Sequence, residues 1–268
     1  MMSFPVRAEA KVRLFVSADL DPGGVLVLPD AQTHYLAHVM RLGVGATIRV
    51  FNGRDGEWRG RIERIQRTAA TVALDRLVRA QRSEPGPWLL FAPVKKTATD
   101  YIVEKGTELG AGRIWPVTTE RTIGSRVNVA RLQATAVEAA EQCGRLTVPD
   151  VTPPATLSAL VAEWPRERPL LVAHARADGR ALPVLDALSP VAAPPAATAS
   201  ASPLPAGVLV GPEGGLTDRE LDVLATLPCA KVVHLGPRTL RAETAAAALL
   251  ACWQAVAGDW RDGGAPPP

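Results

Sequence analysis

The chain has 268 residues, of which 47% are hydrophobic, and it carries 30 Lys and Arg against 27 Asp and Glu. This length favours two domains with real cores, and the sequence contains no uncharged apolar run long enough to cross a membrane. Charged residues interrupt the N-terminus where a signal peptide would need an apolar core, and the three cysteines form no CxxC pair, so we expect a cytoplasmic protein with reduced thiols.

Positive charge is concentrated in the first third of the chain. Residues 1–85 hold 13 Lys and Arg against 9 Asp and Glu, whereas residues 86–268 hold 17 against 18. Arginines recur along strand-like segments here, as in a surface that follows a phosphate backbone. Two interpretations stay open on charge alone, an RNA-binding surface or a merely solvated one. Four of these arginines are our candidate RNA contacts: Arg41, Arg59, Arg61 and Arg64.

The first third of the chain is predicted to form a small β-barrel with one helix. Short β-rich runs separated by glycine turns are expected at Arg13–Val16, Val25–Leu28, Ala46–Phe51, Glu57–Ile65 and Thr71–Val78. The helical spacing of apolar residues predicts a helix over Gln32–Arg41. This helix would bring His34 and His38 to one face. We expect no metal at this pair, because no third ligand is evident.

A linker at Ser83–Pro87 leads into a βαβ unit. We predict a strand at Trp88–Ala92, a helix from about Thr99 to Leu109 and a strand at Arg113–Val117. Lys95 follows the first of these strands at the carboxyl edge of the expected sheet. It is therefore a candidate contact for RNA or for a ligand carboxylate, the alternative being a solvated side chain.

The middle of the chain supplies a helix, a strand and a low-complexity stretch. Asn128–Cys143 has an apolar stripe typical of a packed helix. Leu170–Ala173 reads as a core strand that ends at His174, a residue that could act as a base or could position other groups. Residues 186–206 are rich in Ala, Pro and Ser, and we expect them to form a mobile loop.

Two strand-turn-helix units dominate the last third. Val208–Val210 and Lys231–Leu235 each end in a Gly-Pro turn and lead into helices expected from Asp218 and over Ala242–Ala257. Thr217 and Glu220 have the spacing of a capping box. Parallel strands of this kind bind ligands at their carboxyl ends, and a fixed backbone edge suits adenine. The phosphate-binding glycine motifs common in nucleotide-binding proteins are absent from the sequence.

The same stretch carries a family resemblance. GPEGGLTDRE at 211–220 and LGPRTLRAETA at 235–245 resemble the paired signature of the RsmE family. These proteins are 16S ribosomal RNA (uracil-N3)-methyltransferases of the SPOUT superfamily that use S-adenosyl-L-methionine. The similarity continues upstream through PVKKTATDYIVEKGTELG (93–110), TERT (119–122), EAAEQCGR (138–145) and VAHARA (172–177), and so covers most of the chain.

The resemblance implies an α/β protein with an N-terminal PUA-like β-barrel domain over residues 1–82 and a C-terminal SPOUT α/β domain with a trefoil knot over residues 83–268. It implies a homodimer that acts on ribosomal RNA or on the assembled small ribosomal subunit. The cofactor contacts that it suggests are His174, Leu209, Gly211, Pro212, Glu213, Gly214, Gly215, Leu235, Gly236 and Leu240.

Catalysis at N3 of a uridine requires loss of a proton and stabilisation of the charge that spreads onto the flanking carbonyl oxygens. Arg238 and Arg241 at the start of the last helix suit the second role, and Glu243 could orient an arginine or accept the proton. Alternatively, Glu243 only favours the helix N-terminus and pairs with Arg241. Two other functions stay open: a SPOUT enzyme that methylates a ribose 2′-hydroxyl or another base, and a non-catalytic RNA-binding ribosome assembly factor.

Overall fold

The computed structural model describes residues 12–123, 126–175, 179–192 and 206–261. The chain divides into two compact units. The first comprises Met1–Ser83 together with Ala140–Thr147, and the second comprises Glu84–Ala139 and Val148–Pro268. The boundary near residue 83 coincides with the expected linker, but the return of residues 140–147 to the first unit has no signal in the sequence.

The first unit is built on a five-stranded sheet. Its elements are β1 (Arg13–Phe15), β2 (Val25–Leu28), α1 (Asp30–His34), β3 (Thr47–Phe51), β4 (Glu57–Ile65) and β5 (Ala70–Arg79). The strand order is β1-β3-β4-β5-β2, in which β1 pairs with β3 in parallel and the other pairs are antiparallel. All five expected strands are therefore confirmed.

One departure from expectation lies in the helix of this unit. In the segment expected to be one helix, only the part within α1 is α-helical, and the chain continues from it as a π-helix over Tyr35–Val39. The wider π turn ends in a bond from Met40 N to Tyr35 O, and Arg41 then takes the left-handed conformation with φ 54°. Leu36 is wholly buried, so the apolar spacing that predicted the helix is what anchors this segment to the core.

The first unit contains a buried carboxylate that is paired with arginines. The Glu57 side chain is 0% exposed and accepts a 3.1 Å hydrogen bond from Arg13 Nε and another from Arg79 Nε. Arg13 also donates to the carbonyls of Ala140 and Arg145, and Arg79 donates to that of Gly144. These carbonyls lie at the end of a helix, where the backbone dipole favours positive charge. Burial lowers the pKa of the Arg13 guanidinium, against the effect of Glu57, which raises it.

The second unit contains a parallel sheet flanked by helices. Its strands are β6 (Trp88–Phe91), β7 (Arg113–Thr118), β8 (Asp150–Val151), β9 (Ala155–Thr156), β10 (Leu170–Ala173), β11 (Leu182–Pro183), β12 (Gly207–Val210) and β13 (Ala230–His234). The order is β11-β13-β10-β12-β6-β7-β8, and β9 pairs in parallel with the last two residues of β7. Parallel strands place all their carboxyl ends on one edge, which is where this class of sheet binds ligands.

The helices of the second unit are α2 (Lys96–Glu108), α3 (Val129–Cys143), α4 (Leu157–Glu163), α5 (Val184–Ala192), α6 (Asp218–Ala225) and α7 (Ala242–Ala257). The last four residues of α3 belong to the first unit. The expected span of α7 is confirmed, and its Leu249, Leu250 and Trp253 lie in the core. No helix among the described residues is long and apolar enough to cross a membrane.

The expectation of a loop throughout residues 186–206 was wrong at its start. Residues 186–192 continue α5, because Val184, Ala187 and Leu188 form an apolar face that is buried in the core. The Ala- and Pro-rich composition suggests a loop, whereas the helical spacing of these three residues correctly indicates a helix. Ala206 is buried just before β12, and residues 193–205 lie outside the described part of the chain.

Candidate cofactor cleft and nucleic-acid surface

A cleft opens at the carboxyl ends of β10, β12 and β13. Its atom-free volume is about 670 Å³, including the open mouth, which lies within the range of small-molecule sites. Apolar side chains and backbone form most of the wall, and a few polar groups interrupt it. The lining residues are Ala173, His174, Ala175, Val210, Gly211, Pro212, Glu213, Gly215, Leu216, His234, Leu235, Gly236, Arg238, Thr239, Leu240, Ala242 and Ala245.

The loop after β12 forms one wall and is fixed by its own hydrogen bonds. Gly215 takes φ 70°, a conformation that favours glycine, and its N–H donates to Pro212 O at 2.8 Å. The predicted capping box is confirmed: Glu220 N donates to Thr217 Oγ1, and Thr217 N donates to Glu220 Oε2. Glu220 is 5% exposed, so a buried side chain fixes the junction between this loop and α6.

The loop after β13 forms the facing wall. Gly236 has φ 92°, and its N–H donates to His234 Nδ1 at 3.3 Å. In a neutral imidazole this bond leaves the proton on Nε2. Thr239, Leu240 and the first turn of α7 complete the wall. The two loops thus present rigid backbone edges across a mostly apolar space.

Most of the predicted cofactor contacts lie together in this cleft. Those that line it are His174, Gly211, Pro212, Glu213, Gly215, Leu235, Gly236 and Leu240. Leu209 does not, because it is 0% exposed in the core beneath the loop. Gly214 also lies outside the lining, and its carbonyl accepts a 2.8 Å hydrogen bond from Arg121 Nη1.

The three candidate catalytic residues occupy different positions. Arg238 is exposed and lines the cleft. Arg241 is the exposed N-cap residue of α7, and its side chain makes no capping bond. Glu243 lies half-buried in the first turn of that helix. The alternative interpretation of an Arg241–Glu243 ion pair finds no such pair within the described residues.

Sequence reasoning missed several cleft residues. Ala173, Val210 and His234 end their strands at the edge already chosen, so the strand-end rule would have included them. Ala242 and Ala245 line the cleft from α7 because their small side chains leave space between the helix and the loops. Helical periodicity could have paired these two alanines, because residues three apart in a helix lie on the same face.

The candidate RNA contacts of the first unit lie on β4 and at the end of the π-helix. Arg59 and Arg61 point away from the core, since Trp58, Gly60 and Ile62 alternate with them and are buried. A bulge between Ile62 and Arg64 exposes Arg64 as well. Arg59 Nε donates to Asp75 Oδ2 at 2.8 Å, and this bond lowers the pKa of the Asp75 carboxyl. The charge of Arg59 is thereby partly offset.

Two other groups were singled out by the sequence. Lys95 is exposed and is the N-cap residue of α2 in the second unit. The rings of His34 and His38 lie 4.7 Å apart in the first unit. Among the described residues, no cluster of three or more His, Cys, Asp or Glu could hold a metal ion.

Comparison with known proteins assigns the two units to families. A family model described as "RNA methyltransferase domain" matches residues 84–254, and one described as "RNA methyltransferase PUA domain" matches residues 28–75. The ribosomal RNA small subunit methyltransferase E of Synechocystis is 33% identical over 94% of this chain and 82% of its own. That of Rickettsia conorii is 29% identical over 89% of this chain and 93% of its own.

Solved structures agree with these matches. A ribosomal RNA small subunit methyltransferase E from Neisseria gonorrhoeae, bound to S-adenosyl methionine, superposes with a TM-score of 0.77 at 28% identity. The match covers 91% of this chain and 97% of that one. The protein is therefore an α/β member of the RNA methyltransferase family that includes the ribosomal RNA small subunit methyltransferase E proteins, with a PUA-like N-terminal domain and a C-terminal methyltransferase domain.

Proposed function

We propose that this protein transfers a methyl group from S-adenosyl-L-methionine to N3 of a uridine in 16S ribosomal RNA. The observation that carries the proposal is the cleft at the carboxyl ends of β10, β12 and β13, which the two signature loops enclose. Membership of a family whose named relatives methylate small-subunit ribosomal RNA supports the substrate.

The residues of the cleft fit this cofactor. Leu216, Leu240 and Ala245 offer apolar walls for a ring, while the turns at Gly215 and Gly236 expose backbone groups that can pair with the edge of an adenine. The buried His174 and the exposed Glu213 and Arg238 add polar groups. When bound, S-adenosyl-L-methionine supplies a methyl group on a positively charged sulfur. Among the predicted contacts, Leu209 would act through the backbone conformation that its buried side chain fixes.

Side chains at the cleft would bind the uracil and stabilise its deprotonated form. Deprotonated N3 spreads negative charge onto two carbonyl oxygens, and a guanidinium at the cleft can donate hydrogen bonds to one of them. Arg241 is our first candidate, because it is exposed at the N-cap of α7, between the cleft residues Leu240 and Ala242. Arg238 could bind or orient the base from the cleft wall. Glu243 would either accept the N3 proton or orient an arginine.

RNA binding would involve both units. Arg41, Arg61 and Arg64 of the first unit are exposed and could neutralise phosphates, and Lys95 would act from the second unit. The target uridine must be unpaired or flipped out, because pairing occupies N3. We include in the proposal either naked ribosomal RNA or the assembled small subunit as substrate, in the cytoplasm.

The finer architecture belongs to the same proposal. We infer that the five-stranded sheet closes as a PUA-like β-barrel and that the loops around 211–217 and 235–241 form a trefoil knot with α7. The order β13-β10-β12, in which β13 lies across β10 from β12, supports such a crossing. The alanines of α7 would allow close packing in a homodimer, which light scattering at micromolar concentration would test: a monomeric mass with intact activity would contradict it.

Nucleoside mass spectrometry tests the function directly. Unmodified 16S ribosomal RNA and small subunits assembled from it would be incubated with the protein and S-adenosyl-L-methionine, then digested. The proposal expects N3-methyluridine in at least one of the two. A methylated ribose or another methylated base would reassign the enzyme within its superfamily. Absence of any methylated nucleoside would favour the assembly-factor alternative.

A further inference from the structure

We infer that Arg121 is a positioning residue of the cofactor cleft, holding the glycine loop in place from outside. The inference rests on the proposed function for the identity of the cofactor. Arg121 lies in the turn between β7 and α3 and is 93 residues distant in sequence from the glycine it contacts. It belongs to the TERT stretch at 119–122, to which the sequence alone gives no role, and it is not among the residues that line the cleft.

Two hydrogen bonds fasten this turn to the glycine loop. Arg121 Nη1 donates to Gly214 O at 2.8 Å, and the backbone N–H of Glu120 donates to the buried Glu220 Oε1 at 2.7 Å. Glu220 is also the capping-box residue that begins α6. The turn is itself closed, since Thr119 N donates to Thr122 Oγ1 at 2.8 Å. The loop is therefore fixed at its tip and at its base by one neighbouring segment.

The Arg121 stem packs closely against Gly214. A Cβ atom built on Gly214 would lie 3.2 Å from Arg121 Cδ, slightly closer than an ordinary van der Waals contact, and 3.4 Å from Arg121 Cβ. Gly214 has no left-handed φ, unlike Gly215, so backbone strain does not require glycine there. The missing side chain leaves room for the Arg121 stem, and Gly214 is not among the residues that line the cleft.

A fixed loop binds its ligand more tightly because less conformational freedom is lost on binding. Removing the Arg121 side chain should therefore weaken cofactor binding and leave the chemical step nearly unaltered once the cofactor saturates the site. This pattern separates a positioning residue from one that touches the reacting atoms.

The experiment is a double-mutant cycle on the full chain, with calorimetric S-adenosyl-L-methionine affinity and single-turnover methylation as readouts. Arg121→Ala should raise Kd about three- to tenfold, the range of one net hydrogen bond. Arg121→Lys, which keeps the stem and one donor, should recover part of the loss. Gly214→Ala should raise Kd by itself, though less than Arg121→Ala, since the stem must shift by a few tenths of an ångström. The double variant should be no weaker than Arg121→Ala, because the new Cβ then has space.

Arg126→Ala is the matched control, because Arg126 is an exposed arginine in the same connecting segment. It should leave Kd unchanged. Unchanged cofactor affinity in Arg121→Ala, with weakened RNA binding, would overturn the inference and make Arg121 an RNA contact. Additive losses in the double variant would also overturn it. If the wild-type chain fails to bind S-adenosyl-L-methionine, the proposed function fails instead.

Discussion

The carboxylate of Glu57 lies 3.1 Å from Arg13 Nε, and its side chain is completely buried between three arginines. Removing one partner from a buried ion pair leaves uncompensated charge, which typically costs about 3–5 kcal/mol. We expect Glu57→Gln to lower the free energy of unfolding by that order. Urea denaturation measures it, and Glu63→Gln on the exposed face of the same strand is the control. A loss no larger than that of the control would show that the pair contributes little.

Cofactor binding should be blocked by filling the cleft from α7. Ala245 lines the cleft in the first turns of the helix, so Ala245→Leu should add bulk there while preserving helix propensity. We expect at least a hundredfold loss of S-adenosyl-L-methionine affinity by calorimetry, with the fold retained. Ala255→Leu, an exposed alanine on the same helix, should bind normally. Normal binding by Ala245→Leu would mean that the cofactor occupies another site.

Breaking the ion pair between Arg59 and Asp75 should increase RNA affinity rather than decrease it. Asp75→Asn should free Arg59 to contact phosphate and strengthen RNA binding, steepening the salt dependence by about 0.7–0.9 in logarithmic slope. Arg61→Ala should flatten the slope by a similar amount. Filter binding across a salt series measures both, with Arg166→Ala as an exposed arginine of the second unit for comparison. Identical slopes in all variants would leave this face without a role in RNA binding.

Loss of the Arg241 side chain should reduce the rate of methyl transfer far more than the affinity for the cofactor. Loss of one hydrogen-bond donor to a developing oxyanion typically costs about 10²–10³ in rate. We therefore expect Arg241→Ala to retain S-adenosyl-L-methionine affinity and to lose single-turnover methylation by that factor. Arg238→Ala, which alters the cleft wall itself, should affect substrate or cofactor affinity as well. Wild-type turnover in Arg241→Ala would remove the residue from the catalytic assignment.

Local patterns in the sequence predicted much of the fold and the position of the cleft. The capping box at Thr217 and Glu220, the alternation along β4 and the alanine-rich α7 are each encoded within a few residues, and the structure confirms them. The contact of Arg121 with Gly214 joins residues far apart in the chain, so no local pattern could reveal it. α5 was missed for a different reason, because composition was given more weight than helical spacing.

The return of Ala140–Thr147 to the first unit has a consequence for synthesis of the protein. Arg13 and Arg79 find their carbonyl acceptors at residues 140, 144 and 145, which leave the ribosome well after Ser83. At about 5–20 residues per second, roughly 3–13 s separate the emergence of Ser83 from that of Thr147. The N-terminal domain therefore cannot complete its native contacts as a nascent chain until part of the catalytic domain has been translated. A gene fragment that stops near residue 83 would encode a domain lacking its closing segment.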